Sequence, residues 1–531
     1  MISFLTRISE SAACFAPKPC AVSWTNTGVE RKIGRCKSGS SWLWKTGCAF
    51  SLTRERSRER KSSVLRMWRP PRELFKSVRK HILGTNSVMT DSVAACGDNS
   101  RDNAITAQIA KALTEATGLL RRPQRVVPLI QRLVSDKLRV TFEQRHLYSY
   151  ATTKRSSGDA LNSLLRWILD AQRPDGGIAA YYGLLTGYSE SYPEVTGYIV
   201  PTLYDCARTT GDDDAVVAVE RATQWLLSLQ MSMGAFPAGL HGGLHGDAKQ
   251  PSVFNTGQIL QGLVRAHVET NRPEILQAAV AAGDWLVRMQ HADGSWSGPA
   301  AYQNVAHTYY SMVAWALAEL SERAANRRHG CSDHEHSLSY GRPAERNLDW
   351  VLSHFRPGGW IDGINLRGHP NYLHFIAYAL QGALECAILR RRSDAIEAVA
   401  KSSWVLLRKF ETNKFLPGAF EPDFKNGQRF TCLTGNAQMS CVWLRLFEVT
   451  DDLRYLNAAL KMNEMLKPLI PARGRRGIFG GVSGSYPIWG RYQPLRYLSW
   501  GNKFFADALL LEQRLTRSFA ASAFEALPCA S

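Results

Sequence analysis

Trp167-Ile-Leu-Asp-Ala-Gln172, Trp225-Leu-Leu-Ser-Leu-Gln230 and Trp285-Leu-Val-Arg-Met-Gln290 are one phrase written three times. Weaker copies follow at Trp350-Val-Leu-Ser-His-Phe355 and Trp404-Val-Leu-Leu-Arg-Lys409, and a sixth sits near Met462. Successive copies are 58, 60, 65, 54 and 58 residues apart. Regularity of that kind marks a repeat architecture, in which each unit buries its apolar face only against its neighbours.

Each unit has the same parts. An amphipathic helix leads, as over Ala218–Gln230 or Ala278–Gln290. A glycine turn stops it: Asp175-Gly176-Gly177, Met233-Gly234, Asp293-Gly294, Pro357-Gly358-Gly359 and Pro417-Gly418. A loop rich in aromatic and polar residues follows. A second, more apolar helix completes the unit, predicted at Thr196–Thr209, Thr256–Thr270, Thr308–Arg323, Leu373–Arg390, Gly435–Thr450 and Asn502–Thr516. Strand signals are scarce. Helices with few polar residues are buried on most sides, and amphipathic ones face solvent. Six such pairs predict an all-α (α/α)6 barrel, or α-toroid, over 161–516, with the apolar helices inside. An open helical solenoid is the alternative. The pattern places leading helices at 91–160 and a short tail at 517–531.

The chain has 531 residues and a formal net charge of +19. Residues 1–90 hold 18 Lys and Arg against 5 Asp and Glu, so they carry two thirds of that excess. The stretch includes Arg54-Glu55-Arg56-Ser57-Arg58-Glu59-Arg60-Lys61 and has no helical or strand period. It reads as a disordered basic leader, or as sequence upstream of a start at Met67 or Met89. A nucleic-acid-binding arm or a targeting segment is the sharper alternative. The rest is only mildly basic, so no nucleic acid is expected for the folded domain. No apolar run is long enough to span a membrane and no secretory pattern opens the chain, which predicts a cytoplasmic protein. The 11 cysteines fall in no metal-ligand spacing and read as free thiols; no metal or cofactor is expected.

In a toroid, the starts of the inner helices and the loops before them line one end of the ring. The six starts read Ser191-Tyr-Pro-Glu194-Val-Thr-Gly-Tyr198, Val253-Phe-Asn255-Thr-Gly-Gln258, Asn304-Val-Ala-His307-Thr-Tyr-Tyr310, Asn371-Tyr-Leu-His374-Phe, Thr431-Cys-Leu-Thr-Gly-Asn436-Ala-Gln438 and Tyr497-Leu-Ser-Trp500-Gly-Asn502-Lys503. Each sets a polar or ionisable group beside aromatics. Sugars are bound in this way, with flat rings stacking on the apolar face while amides and carboxylates take the hydroxyls. Glu194, with Tyr188, Glu190 and Tyr192 beside it, is the leading acid or base. Asp362 and Asp423, on loops of the same face, are its candidate partners. Tyr198, Asn255, His307, His374 and Asn436 are candidate substrate contacts. So are Trp489, Arg491 and Lys503, in and after the loop Gly480-Gly-Val-Ser-Gly-Ser-Tyr-Pro-Ile-Trp489-Gly-Arg491-Tyr492; the two cations would meet an acidic group. Simpler roles compete. Asn255, Thr256, Thr434 and Asn436 also read as helix N-caps, His307 and His374 as core histidines, and Asp212-Asp213-Asp214 as a capping run.

The Trp-x-x-x-x-Gln units followed by Asp-Gly-Gly or Asp-Gly-Ser resemble the repeats of terpenoid cyclase and protein prenyltransferase toroids. Pro193-Glu194-Val-Thr-Gly-Tyr198 and Thr434-Gly-Asn436-Ala-Gln438 look more like six-hairpin glycosidase-type proteins. These include uronic-acid-acting enzymes and uncharacterised proteins associated with bacterial surface-polysaccharide synthesis. The resemblance covers about 160–516. It implies a carbohydrate-active protein of surface-polysaccharide metabolism that binds a glycan or sugar intermediate. On this scaffold the activity would be glycoside hydrolysis, or uronate epimerisation or elimination with His307 or a tyrosine as base. A terpenoid- or prenyl-acting enzyme and a non-catalytic binding toroid are the alternatives. No Asp-x-Asp-Asp run is expected in the cavity, no Asp, Cys and His zinc set matches, and no Cys-His-Gly segment occurs.

Overall fold

The computed structural model describes residues 155–242, 250–326 and 333–525, together with Arg132. The expected leader at 1–90, nearly all of the leading segment at 91–160 and the last six residues lie outside the described residues. Twelve α-helices follow one another: α1 (Ser157–Ala171), α2 (Pro193–Thr210), α3 (Asp213–Leu229), α4 (Val253–Thr270), α5 (Pro273–Met289), α6 (Ser311–Asn326), α7 (Asp333–Leu352), α8 (Leu373–Arg390), α9 (Ser393–Asn413), α10 (Leu433–Thr450), α11 (Leu453–Leu466) and α12 (Ser499–Glu525). The last runs past residue 516, where the sequence pattern places the end of the toroid.

Even-numbered helices form an inner ring. Each packs on the next, and α12 returns to pack on both α1 and α2, so the ring is closed and the open solenoid is excluded. Burial follows the sequence pattern. In α8 fourteen of eighteen residues are buried, whereas in α3 only one stripe is, from Ala215 to Leu226. The fold is therefore an (α/α)6 toroid.

The repeated phrase has a physical cause. The tryptophans of its three full copies are buried in the outer layer, Trp167 completely, and Trp350 and Trp404 of the weaker copies partly. Its glutamine ends the outer helix and staples two repeats together. Gln172 Nε2 donates to the Gly176 carbonyl at 3.0 Å and to Ala218, on the next outer helix, at 2.8 Å. Gln230 does the same to Gly234 and Ala278, and Gln290 to Gly294 and Pro343. Phe355 and Lys409 replace this glutamine in the two weaker copies.

The glycine turn must press on the next outer helix. Gly176 has φ +102°, and a Cβ there would stand 2.8 Å from the Arg221 carbonyl. Gly480 in the last unit meets the Ser163 carbonyl of α1 in the same way, which seals the ring. A second clamp joins four of the loops to their inner helices. Thr196 and Thr256 accept the backbone N–H of Ile178 and Phe236, and the Asn436 and Asn502 side chains accept those of Leu416 and Val482.

Short strands pair at the loop end of the ring. β1 (Tyr181–Gly183) lies between β2 (Gly187–Tyr188) and a later strand, while β3 (Asn371–Tyr372) pairs with β4 (Ala419–Phe420), and β5 (Thr431–Cys432) with β6 (Ser485–Tyr486). That later strand is β7 (Arg496–Leu498), so the first and last loops are bonded to each other. Two- or three-residue strands are too short to leave an alternating pattern in the sequence.

Asp212 caps α3 by accepting the Ala215 N–H, as the acidic run suggests. Cys206, Cys386, Cys432 and Cys441 are buried free thiols, and burial pushes each up, Cys386 and Cys432 to about 12. Among the described residues no helix is long and apolar enough to cross a membrane.

Candidate functional site

The starts of all six inner helices meet at the loop end of the ring, and successive turns of these helices face its axis. Glu194 is in the first turn of α2, behind Pro193 at the helix start. Its carboxylate is buried, and Oε2 accepts the Tyr192 hydroxyl at 2.6 Å. The Tyr302 hydroxyl reaches the same carboxyl and lies 2.9 Å from that of Tyr192. Burial outweighs these two hydrogen bonds and raises the acid to about 7. A carboxyl at that value is half protonated in neutral solution and serves as donor or acceptor.

Tyr302 was not singled out in the sequence. It stands in the loop before α6, in a 3-10 turn whose next residue, Gln303, has φ 54°. His307 Nε2 bonds the Tyr302 carbonyl at 3.0 Å, and the Tyr310 hydroxyl accepts the Tyr302 N–H at 2.8 Å. His307 is therefore a positioning group for Tyr302, and burial lowers its basicity.

Beneath Glu194 the axis is filled by rings. Tyr198 on α2 and Tyr378 on α8, helices on opposite sides of the ring, share a hydrogen bond across it. Phe254, Tyr309 and Phe504 pack around Tyr378, and His374 lies 4.1 Å from its ring. His374 Nδ1 bonds Gln438 Oε1 at 3.0 Å, and burial drops the imidazole to about 3, so it is neutral at any ordinary pH. Tyr192, Phe375 and Trp500 are partly exposed, and Tyr302 and Trp489 more so, giving five aromatic faces at this end.

The other sequence candidates fall elsewhere. Asp362 and Asp423 are brought to each other and not to Glu194. Both are exposed carboxylates on Arg356, at 2.7 and 3.1 Å, and neither makes a hydrogen bond or ion pair with Glu194. Asn255 and Asn436 are not N-caps. Ser252 and Cys432 cap those helices, because the chain enters the helix three or four residues earlier than the polar pattern suggests. Thr256 clamps Phe236, and Thr434 lies inside α10. Asn255 holds the Pro237 carbonyl, while Asn436 bonds Leu416, Thr431 and Cys432; both are wholly buried in loop clamps. Lys503 lies inside the ring rather than at its mouth: Nζ pairs with Asp507 at 2.6 Å, above the Phe504 face. Arg491 is exposed on the last loop, where its carbonyl accepts the Tyr372 hydroxyl. Among the described residues no group of three or more His, Cys, Asp or Glu side chains is placed to hold a metal ion.

No family model matches the chain, and no curated protein matches it by sequence. Solved structures do match in fold. An unsaturated glucuronyl hydrolase specific for heparin aligns with a TM-score of 0.52 at 13% identity, over 68% of this chain and 97% of its own. The unsaturated glucuronyl hydrolase of Bacillus sp. GL1, responsible for degradation of glycosaminoglycan, aligns at 0.53 and 15% identity over 68% and 97%. The cellobiose 2-epimerase of Spirochaeta thermophila aligns at 0.52 and 14% identity over 68% and 96%. At these identities the likeness is one of fold, the six-hairpin α/α-toroid.

Proposed function

We propose that this toroid is carbohydrate-active and binds a glycan end at the loop side of the ring, with Glu194 as proton donor and acceptor. The observation that carries the reading is the Tyr192–Glu194–Tyr302 cluster. A buried carboxyl raised to about 7 sits one side chain behind partly exposed aromatic faces. A sugar stacked on Tyr302 or Trp500 would present its oxygens to that acid, and Tyr192 and Tyr302 would return the proton through their hydroxyls. Two-carboxylate hydrolysis needs a second acid across the sugar. Asp362 and Asp423 would serve only after release from Arg356, so proton transfer by Glu194 with the Tyr192 and Tyr302 hydroxyls is the chemistry this reading favours. The glucuronyl hydrolases and the epimerase of the same fold support a sugar substrate. A role in surface-polysaccharide metabolism rests on the sequence resemblance.

The aromatic wall beneath Glu194 favours one second reading, a terpenoid-acting enzyme in which rings stabilise a carbocation. A thermal-shift panel of neutral and acidic oligosaccharides beside prenyl diphosphates and squalene-like hydrocarbons separates the two. Stabilisation by oligosaccharides, lost on Tyr302→Ala, is the expected result. Stabilisation by hydrocarbons alone would replace the first reading with the second.

A further inference from the structure

The Tyr198–Tyr378 contact divides the axis of the ring in two. Below it, on the next turns of the inner helices, the side chains change character. Residues four, seven and eleven positions past the first-turn residues follow the same faces. On α4 the stripe reads Phe254, Gln258, Gln261, Arg265; on α6, Trp315 and Glu319; on α8, Tyr378, Gln381, Glu385. The lower part is therefore polar, and three of its cations are matched. Arg265 bonds Asp205 and Glu269, Arg445 holds Glu385 with two bonds at 2.8 and 2.9 Å, and Lys503 holds Asp507.

Three features there have no such match. Among the described residues Glu319 makes no ion pair; its carboxyl accepts the Trp315 indole N–H and feels Glu385 from α8, Arg265 from α4 and Arg323 of its own helix. Both amide atoms of Gln258, a wholly buried residue, lack a hydrogen-bond partner. Nε2 of Gln261, 4% exposed, lacks one too. Leaving buried amides of this kind unmatched is unfavourable. Trp315 and Glu319 are nevertheless partly exposed in the middle of an inner helix, so protein does not fill the space before them.

We propose that this lower chamber is a second binding site, separate from that of Glu194, for a small amino-bearing polyol such as an amino sugar. The ligand's ammonium pairs with Glu319, its ring lies on Trp315, and its hydroxyls meet Gln258 and Gln261. Arg265, Arg445 and Lys503 are held by carboxylates, which leaves an anion only the exposed Arg323 of α6, next to the Glu319 carboxyl. A neutral sugar satisfies the amides and leaves Glu319 alone. Burial with Glu385 nearby lifts Glu319 to about 7, so a cationic ligand binds the ionised form, and affinity rises with pH until that form dominates.

The test is calorimetric titration of the full chain with glucosamine, glucose and glucuronic acid at pH 6 and pH 7.5. Glucosamine should bind at least five-fold more tightly than glucose at pH 7.5, with a several-fold loss at pH 6, and glucuronic acid should show no binding that Tyr302→Ala leaves in place. Glu319→Gln, isosteric with the protonated acid, should erase the preference for the amine and its pH dependence. Gln261→Leu should weaken glucosamine and glucose alike. Equal binding of glucosamine and glucose by the unaltered protein, no binding of either, or an amine preference that survives Glu319→Gln would overturn the proposal. Loss of glycan binding at the Glu194 end leaves these readouts untouched, because Tyr198 and Tyr378 separate the chambers.

Discussion

Replacing Glu194 with glutamine should stabilise the protein above pH 7 and leave it unchanged near pH 4. Folding raises this carboxyl from 4.5 to about 7. A raised acid favours the folded state while it holds its proton, below the unfolded value of 4.5, and that contribution is lost as pH climbs through 7. The shift is about 2.5 units at 1.36 kcal/mol each, or about 3 kcal/mol lost by the wild type between pH 4.5 and neutrality. Glutamine carries no charge at any pH and can still accept the Tyr192 hydroxyl. At roughly 2.1 cal/mol/K per residue over the toroid, 3 kcal/mol corresponds to a melting-temperature gain of about 4 °C at pH 8. Glu319 titrates in the same range. The quantity to follow is therefore the difference between the two proteins, measured by scanning calorimetry at half-unit steps from pH 4 to 9. Parallel curves, or a variant less stable than the wild type at pH 8, would mean that Glu194 is not a buried acid of raised pKa.

Other outcomes follow from the same geometry. Gln230→Ala removes two hydrogen bonds that join α3 and its turn to α5, and should cost about 1–3 kcal/mol in urea denaturation. Asn436→Ala should cost about 1–3 kcal/mol, since the buried Leu416 N–H then loses its acceptor while Thr431 and the Leu416 carbonyl keep each other; its ligand affinity should not change beyond what stability explains. Gly480→Ala should lower the melting temperature more than Gly211→Ala: both have positive φ, but only the Cβ at 480 would overlap backbone, at Ser163. The His374 ring resonances should not titrate between pH 5 and 9, since burial holds the imidazole near 3.

The repeat was legible because its physics is local. A glutamine that must reach both its own turn and the next outer helix recurs in three units, and a glycine turn follows the outer helix, with the period of the ring. The candidate site was legible only in part, because a polar residue at a helix start looks the same whichever way it faces. Asn255 and Asn436 bond their own loops, while Glu194 bonds the Tyr192 and Tyr302 hydroxyls. Asp362 and Asp423 carry the right chemistry for an acid pair, but Arg356, remote from Asp423 in sequence, claims both. Tyr302 depends on a loop path held by His307 and Tyr310 that no period encodes. Glu319 did leave a signal, as a lone carboxylate within the otherwise apolar stretch Val313–Leu320. A single helix does not reveal, however, that its neighbours contribute matched ions and unmatched amides.

The central claim is that a glycan end binds at the loop side of the ring against Glu194. A crystal structure of the Glu194→Gln variant with a bound oligosaccharide tests it most directly. The account predicts a sugar ring stacked on Tyr302 or Trp500, with an oxygen within 3.2 Å of the new amide. A sugar bound only outside the ring, or a mouth occupied by hydrocarbon and indifferent to every oligosaccharide, would contradict it.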